Sequence, residues 1–145
     1  MVNAIESKWS LSCLHAGGNI LDGIKEFGFT FLKNKKVSLE EARKLEVDII
    51  EFLMNRINND AKLKPYLEHP FKEDKIRVRL VFGKREFCNF RDGVSMYEVL
   101  PKEGRLLYHR LPYSDPKGPW IILTPDVLAD ESYEESRKLS SVLKK

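Results

Sequence analysis

Apolar and polar residues alternate in several short segments of the chain, whereas in one long segment apolar residues recur every three or four positions. Alternation puts successive side chains on opposite faces of a strand, and the longer spacing puts them on one face of a helix. The alternating segments are Ile24–Lys33, Lys75–Phe82, Val94–Leu100 and Arg105–Leu111. The helical segment runs from Ser38 to about Asn59. The pattern therefore predicts strands arranged around one long helix.

A capping box opens the helical segment. Ser38 precedes the first helical residue and Glu41 follows it three positions later, so each side chain can accept a hydrogen bond from the other residue's backbone N–H. Beyond this start the two faces of the helix differ in polarity. The apolar face carries Ala42, Leu45, Ile49, Phe52, Leu53 and Ile57, and the polar face carries Glu40, Arg43, Lys44, Asp48, Glu51 and Asn55.

The first strand carries three phenylalanines on one face, Phe27, Phe29 and Phe31. A row of large apolar side chains needs a covering layer, and the amphipathic helix that follows can supply it. We therefore expect Phe29 to be buried against the helix and Leu53 to be buried against the strand.

Turn residues and short apolar runs indicate the remaining elements. Gly17-Gly18-Asn19 favours a turn, and the segment before it fits helix and strand equally. Pro101–Gly104 suits a four-residue hairpin loop. A short apolar run at Trp120–Leu123 predicts a fifth strand, and Asp130–Leu143 predicts a weaker helix with Asp130 as its N-cap.

The order of these elements predicts an α+β fold, because one helix followed by several strands joined by turns does not repeat a βαβ unit. We expect a mainly antiparallel sheet of four to five strands packed on one long helix (38–59), with a short C-terminal helix. A length of 145 residues is typical of one domain. We therefore expect residues 1–145 to form a single domain.

Several segments together resemble an uncharacterised family of small bacterial proteins. In that family a glycine-rich turn precedes a strand, a long helix and a PYL...PF stretch. The matching segments here are Gly17-Gly18, the Phe27/Phe29/Phe31 strand, Ser38–Arg43 and Leu63–Phe71, within a span of about Leu14 to Tyr108. The sequence departs from the family at His15-Ala16. The resemblance implies the same order of elements and no particular activity.

Composition limits the classes of partner. Hydrophobic residues make up 42% and charged residues 32% of the chain, as in a folded domain with a hydrated surface. A net charge of +3 is too small to indicate a dedicated nucleic-acid binder. No run of about 18 apolar residues and no leader pattern is present, so we expect a soluble protein of undetermined compartment.

Residues capable of catalysis or metal binding are few and dispersed. Cys13 and Cys88 lack a metal or redox spacing, and reduced thiols or a disulfide both fit them. Cys13 and His15 would share one strand face, which would suit a thiol and its base, and the Gly-Gly sequence beside them would suit a backbone anion site. His15, His69 and His109 show no metal-ligand spacing. The residues therefore predict no catalytic residue, metal or cofactor.

Positive charge is concentrated in residues 72–91, where seven lysines and arginines outnumber three acidic residues. Phe87 and Phe90 lie among them. Basic side chains bind carboxylates and phosphates. The candidate binding residues are Lys75, Arg77, Arg79, Lys84 and Arg85. The pattern is most typical of a solvated strand whose arginines pair with nearby carboxylates. As a binding surface it would take an acidic protein partner, with weak RNA binding as an alternative.

Two functional classes follow. The first is a noncatalytic protein-interaction domain that uses a sheet edge, exposed loops or the basic strand. The second is a small ligand-binding protein or enzyme that uses a concave sheet face, with Cys13, His15 and His109 as its reactive groups. A ligand pocket with convergent polar groups would favour the second class.

Overall fold

The computed structural model describes residues 2–19, 26–67, 72–83, 95–110 and 126–142. These residues contain three helices, α1 Val2–Trp9, α2 Leu39–Asn58 and α3 Tyr133–Val142. The six strands are β1 Ser12–Asn19, β2 Glu26–Lys33, β3 Ile76–Phe82, β4 Met96–Lys102, β5 Arg105–Arg110 and β6 Asp126–Glu131. Two 3₁₀ turns lie at Lys64–Tyr66 and Glu73–Lys75.

The six strands form one sheet in which their spatial order equals their order along the chain. Only β2 and β3 are parallel, and α2 lies between them in the chain. The other four pairings are antiparallel. The α+β class and the mainly antiparallel sheet are therefore confirmed, whereas the count of four to five strands was too low, and α1 adds a helix to the long one and the short C-terminal one that were expected.

Helix α2 begins where the capping box placed it. Ser38 has an extended backbone, and its Oγ accepts a hydrogen bond from the Glu41 backbone N–H at 3.2 Å. The buried face is broader than the apolar positions indicate, because it also includes Arg43 and Glu46. The placement of Arg43 on the polar face was wrong, since its guanidinium turns inward to a buried carboxylate described below.

Replacing Ser38 by alanine should lower the free energy of unfolding by about 1 kcal/mol. The substitution removes the acceptor for the Glu41 N–H and leaves the apolar face of α2 unchanged. Ser38→Asp keeps an acceptor at the N-cap and serves as the matched control. Denaturant midpoints of the three proteins measure the effect, and an alanine variant as stable as the wild type would show that this cap contributes nothing.

The hydrophobic core lies between α2 and one face of the sheet. Phe29 is 6% exposed, Phe31 and Leu53 are fully buried, and all three belong to one apolar cluster. The rings of Phe29 and Phe31 stack with their centroids 6.0 Å apart. The expected burial of Phe29 and Leu53 is confirmed. Helix α1 closes one side of the core, because Ile5 is fully buried and Trp9 packs edge-on against Phe52.

The N-terminal region differs from the expected turn at Gly17-Gly18-Asn19. These residues lie inside β1 and pair with Gly28, Phe27 and Glu26. A Cβ atom on Gly18 would lie 2.7 Å from the Glu26 carbonyl oxygen. Glycine at this position therefore permits two strands to approach closely and does not reverse the chain.

The β4–β5 hairpin is tighter than expected. Its loop consists of Glu103 and Gly104, whose φ angles of 51° and 76° are both positive. Two such residues form the turn that matches the twist of paired strands. Pro101 belongs to β4, and so the expected four-residue loop was too long.

The C-terminal helix is present, but its start differs from the expected one. Asp130 belongs to β6, where it pairs with Leu107 of β5. Ser132 caps the helix instead, because its Oγ accepts a hydrogen bond from the Glu135 N–H at 3.2 Å. The short apolar run expected as a fifth strand, Trp120–Leu123, lies outside the described residues.

Candidate functional site

Strand alternation directs the arginines of β3 away from α2. Val78 and Leu80 are fully buried in the core, whereas Arg77 and Arg79 are exposed on the opposite face of the sheet, which none of the described helices covers and which we call the helix-free face. Lys75 is exposed and belongs to the 3₁₀ turn that precedes the strand. Two further candidate binding residues, Lys84 and Arg85, lie outside the described residues.

Arg77 has a weak and accessible ion pair. Its guanidinium lies 3.6 Å from the Glu26 carboxylate, and the two side chains are 58% and 36% exposed. Arg77 pairs with Gly28 across the sheet, and Gly28 with Gly17. A Cβ atom on Gly28 would meet no heavy atom within 4 Å. The sheet surface at Gly28 is therefore open, and another molecule can approach the Arg77 guanidinium over it, whereas the His15 imidazole lies close to Gly17 on the next strand.

Arg79 is held more firmly, because it belongs to a three-residue charged cluster. Its Nε donates a hydrogen bond to the Glu98 carboxylate at 2.9 Å, and the other Glu98 oxygen lies 3.0 Å from His109 Nδ1. Glu98 is 6% and His109 9% exposed. Two hydrogen-bond partners compensate the burial of the carboxylate. The sequence alone did not indicate Glu98 as a site residue. Glu98 lies beside two basic residues only because β4 pairs with β3 on one side and with β5 on the other.

A β-bulge separates the side chains of Cys13 and His15. Cys13 pairs with Phe31, whose side chain faces the core, and His15 pairs with Thr30 on the opposite face. The register shift leaves Leu14 as the extra residue. The expectation that Cys13 and His15 share a strand face was therefore wrong.

The Cys13 thiol is also poorly suited to act as a nucleophile. Its side chain packs against the core, and burial raises the pKa of the thiol. Cys13 Sγ donates a weak hydrogen bond to the His15 carbonyl at 3.5 Å, and the thiol is free. Reactive cysteines need the opposite shift, towards a lower pKa. Cys88 lies outside the described residues.

A buried polar network lies on the helix side of the sheet. Arg43 of α2 binds Glu131 of β6 through both Nε and Nη2. Ser136 of α3 donates to Glu131 at 2.6 Å and accepts from the Tyr108 hydroxyl at 2.9 Å. Burial is the main cause that raises the pKa of Tyr108, so this hydroxyl remains a donor. The network links α2, β5, β6 and α3.

Glu46 lies one turn after Arg43 on α2 and has no such partner. It is fully buried, and neither carboxylate oxygen forms a hydrogen bond with any residue that the structure describes. Burial raises the pKa of the Glu46 carboxyl well above its usual value. Arg43 cannot neutralise Glu46 because its guanidinium is committed to Glu131. Burial therefore favours the protonated form of Glu46 in the folded protein.

The described residues line several clefts. A cleft of about 420 Å³ lies at the C-terminal end of α2 and is lined by mostly exposed residues, Asn55, Arg56, Asn59, Asp60 and Ala61. Another of about 170 Å³ lies at the β4–β5 hairpin, with a floor of Ile50, Ile76 and Tyr133 and a rim that includes Arg77 and Glu103. This volume is below that of a typical small-molecule pocket, about 300 Å³ or more. The rim carries both signs of charge, and so it favours neither an anion nor a cation.

The described ranges contain neither a three-residue cluster of metal-ligand type nor a membrane-spanning helix. Among those residues, no group of three His, Cys, Asp or Glu side chains could hold a metal ion. His69 lies outside them. No helix in that part of the chain is both long and apolar enough to span a membrane.

Comparisons with known proteins add no functional assignment. No family model matches the chain, and the comparisons with curated proteins and with solved structures give no match either. The resemblance to a family of small bacterial proteins stays a prediction.

Proposed function

We propose that this protein is a noncatalytic interaction domain that binds an acidic protein segment on the helix-free face of its sheet. The observation that carries the proposal is the position of Arg77. Its guanidinium is 58% exposed, its ion pair with Glu26 is long at 3.6 Å, and the adjacent position holds a glycine with open space above it.

An acidic partner can replace the existing pair at little cost. Exposed ion pairs contribute only about 0–1 kcal/mol, so exchanging the Glu26 carboxylate for that of a partner sacrifices little. Lys75 adds a second accessible charge, and none of the described residues forms an ion pair with it. Arg79 extends the surface, although Glu98 already orients its guanidinium. We define Lys75, Arg77 and Arg79 as the basic face.

A protein partner fits the basic face better than RNA does. Unpaired bases bind by stacking on aromatic side chains. The three phenylalanines of β2 are turned to the core side of the sheet, where Phe29 and Phe31 are buried. Beside Arg77 the helix-free face offers the Gly28 backbone and Thr30, and one imidazole, that of His15, lies beyond them on β1. The carboxylate side chains of an acidic partner, by contrast, can bind to the guanidinium groups without any stacking.

Replacing Arg77 by glutamine should weaken binding to a fluorescein-labelled peptide of ten glutamates by about fivefold, which corresponds to about 1 kcal/mol. Binding by the wild type should also decline as salt is raised from low ionic strength. Fluorescence anisotropy titrations at two salt concentrations measure both effects.

Arg137→Gln is the matched control. Arg137 of α3 is 57% exposed and lies 3.4 Å from Glu51, so its exposure and ion pairing resemble those of Arg77 and the change in net charge is the same. Equal losses in the two variants would mean that net charge alone attracts the peptide, and the proposal would be rejected. Stronger capture of a ten-nucleotide oligouridylate than of the peptide would assign the face to RNA instead.

A second candidate function rests on the pair formed by Glu98 and His109. A histidine whose Nδ1 is bound by a carboxylate at 3.0 Å is the arrangement that orients imidazole bases in enzymes. The structure places Cys13 on the other face of the sheet, and so the pair would act without a thiol. An imidazole whose tautomer and hydrogen bonding, followed by ¹⁵N NMR, do not change in Glu98→Gln would exclude this coupling.

A further inference from the structure

The two edges of the sheet differ sharply in charge. At one edge, β6 carries three acidic residues in six, Asp126, Asp130 and Glu131. At the other, β1 has the sequence SCLHAGGN and contains no Lys, Arg, Asp, Glu or Pro. Natural proteins use charges and prolines on edge strands to prevent pairing with another chain. In the described part of the sheet, β6 has such charges, whereas β1 has neither charges nor proline and is irregular only at the bulge at Leu14.

The backbone of β1 is accessible along most of its length. The Glu6 carboxylate of α1 accepts a hydrogen bond from the Cys13 N–H at 3.0 Å, which closes the start of the edge. Leu14 is 49% exposed, and His15, Ala16 and Gly18 are also exposed. An unpaired edge of this kind offers backbone donors and acceptors to an added strand.

Strand geometry identifies the residues that can bond outward. In an antiparallel pair, alternate residues exchange hydrogen bonds with their neighbour and the others point away from it. Cys13 pairs with Phe31, and its N–H points outward to Glu6. Ala16 and Gly18 pair with Phe29 and Phe27, which have the same parity as Phe31. Ala16 and Gly18 therefore have outward backbone groups.

We propose that β1 pairs with β1 of a second copy of this chain, antiparallel and centred on Ala16, to form a two-fold symmetric dimer. Like charges opposite one another destabilise paired strands, and self-pairing of an uncharged strand brings none together. Self-pairing of β6 would oppose acidic residues. Centring on Ala16 also sets the exposed Leu14 of one copy against the side-chain-free Gly18 of the other.

Two-fold symmetry makes each contact between different residues occur twice. The interface is isologous, so Ala16 contacts Ala16 of the second copy and each Leu14–Gly18 contact occurs twice. The two sheets would then continue into one another across the interface. The proposal does not depend on the basic face, which lies two strands away from β1 in the sheet.

Light scattering coupled to size exclusion, together with sedimentation velocity, tests the dimer between about 1 µM and 1 mM, the range over which weak to moderate association is measurable. The wild type should reach a mass near twice 16.9 kDa. Ala16→Pro removes an outward N–H in each copy while an edge strand tolerates proline, and it should weaken association at least tenfold. Ala16→Ser keeps the N–H and should associate like the wild type.

Leu14→Lys provides a second test, because it leaves the backbone intact and adds a charge at the exposed bulge. It should also weaken association at least tenfold, and it decides the question if circular dichroism shows that Ala16→Pro is unfolded. A wild type that remains monomeric at 1 mM, or a dimer that survives Leu14→Lys, would overturn the proposal. Arg77→Gln should dimerise normally, so this test and that of the basic face can fail separately.

Discussion

Glu131→Ala should destabilise the fold by about 3–5 kcal/mol, because it leaves the Arg43 guanidinium charged and unpaired in the core. The two side chains are 11% and 8% exposed, and they form two hydrogen bonds with each other. Ser136 also loses the acceptor to which it donates. Chemical unfolding at neutral pH measures the loss.

Asp130→Ala is the matched control for Glu131→Ala. Asp130 is the preceding residue of β6, and its ion pair with Arg105 is about half exposed. Its loss should cost less than about 1 kcal/mol. A double variant, Arg43→Met with Glu131→Leu, should recover most of the stability, because replacing both members of a buried pair with apolar side chains avoids the unpaired charge. Similar losses for Glu131→Ala and Asp130→Ala would contradict a special role for the buried pair.

The stability of the protein should decline as pH rises above the pKa of a glutamate in the unfolded chain, about 4.3, and Glu46→Gln should remove this decline. Below the pKa of the unfolded chain, about 4.3, Glu46 is protonated in both states and contributes no pH dependence. Above it, the unfolded chain loses the proton while the folded protein keeps it, because burial raises the pKa of Glu46. Folding then binds a proton, and each pH unit costs about 1.4 kcal/mol up to the folded pKa.

The groups that face Glu46 do not reverse this sign. Arg43 and Glu131 neutralise each other in their ion pair, and the raised pKa of Tyr108 keeps its hydroxyl neutral across this range. The free energy of unfolding measured from pH 5 to pH 9 should therefore diverge between wild type and Glu46→Gln, with the variant increasingly the more stable. Glu40→Gln, an exposed carboxylate on the same helix, should run parallel to the wild type. Parallel curves for Glu46→Gln would show that the buried carboxyl has a partner.

Local signals predicted the elements whose formation depends on local interactions. The Ser38–Glu41 capping box placed the start of α2, because the acceptor and the donor lie three residues apart. Alternation in residues 75–82 placed Val78 and Leu80 inside and Arg77 and Arg79 outside. In both cases the pattern and the geometry act within one element.

Elements that depend on pairing could not be predicted in the same way. Strand β6 has the sequence DVLADE, with three acidic residues that disfavour a strand, and it forms because it pairs with β5 and because Arg105 and Arg43 bind Asp130 and Glu131. The bulge at Leu14 puts Cys13 and His15 on opposite faces of the sheet. It arises from the register of β1 with β2, which the sequence of β1 alone does not show.

The candidate site shows the same division. The exposure of Arg77 and Arg79 follows from alternation, whereas their different partners do not. Glu26 is close to Arg77 because β2 and β3 are adjacent, and Glu98 reaches Arg79 because β4 lies on the other side of β3. Both neighbours are set by the strand order, which no short segment of the sequence specifies.

The single parallel pairing in the described sheet determines which face of the sheet α2 covers. A hairpin or meander can be covered on either face, whereas a strand–helix–strand crossover between parallel strands is almost always right-handed because strands twist in one sense. The segment β2–α2–β3 is the crossover between parallel strands in the described sheet. Its chirality decides which face α2 covers, and thereby which face remains for Arg77. A mirror-image arrangement of the same strands would bury the basic face and expose the phenylalanines.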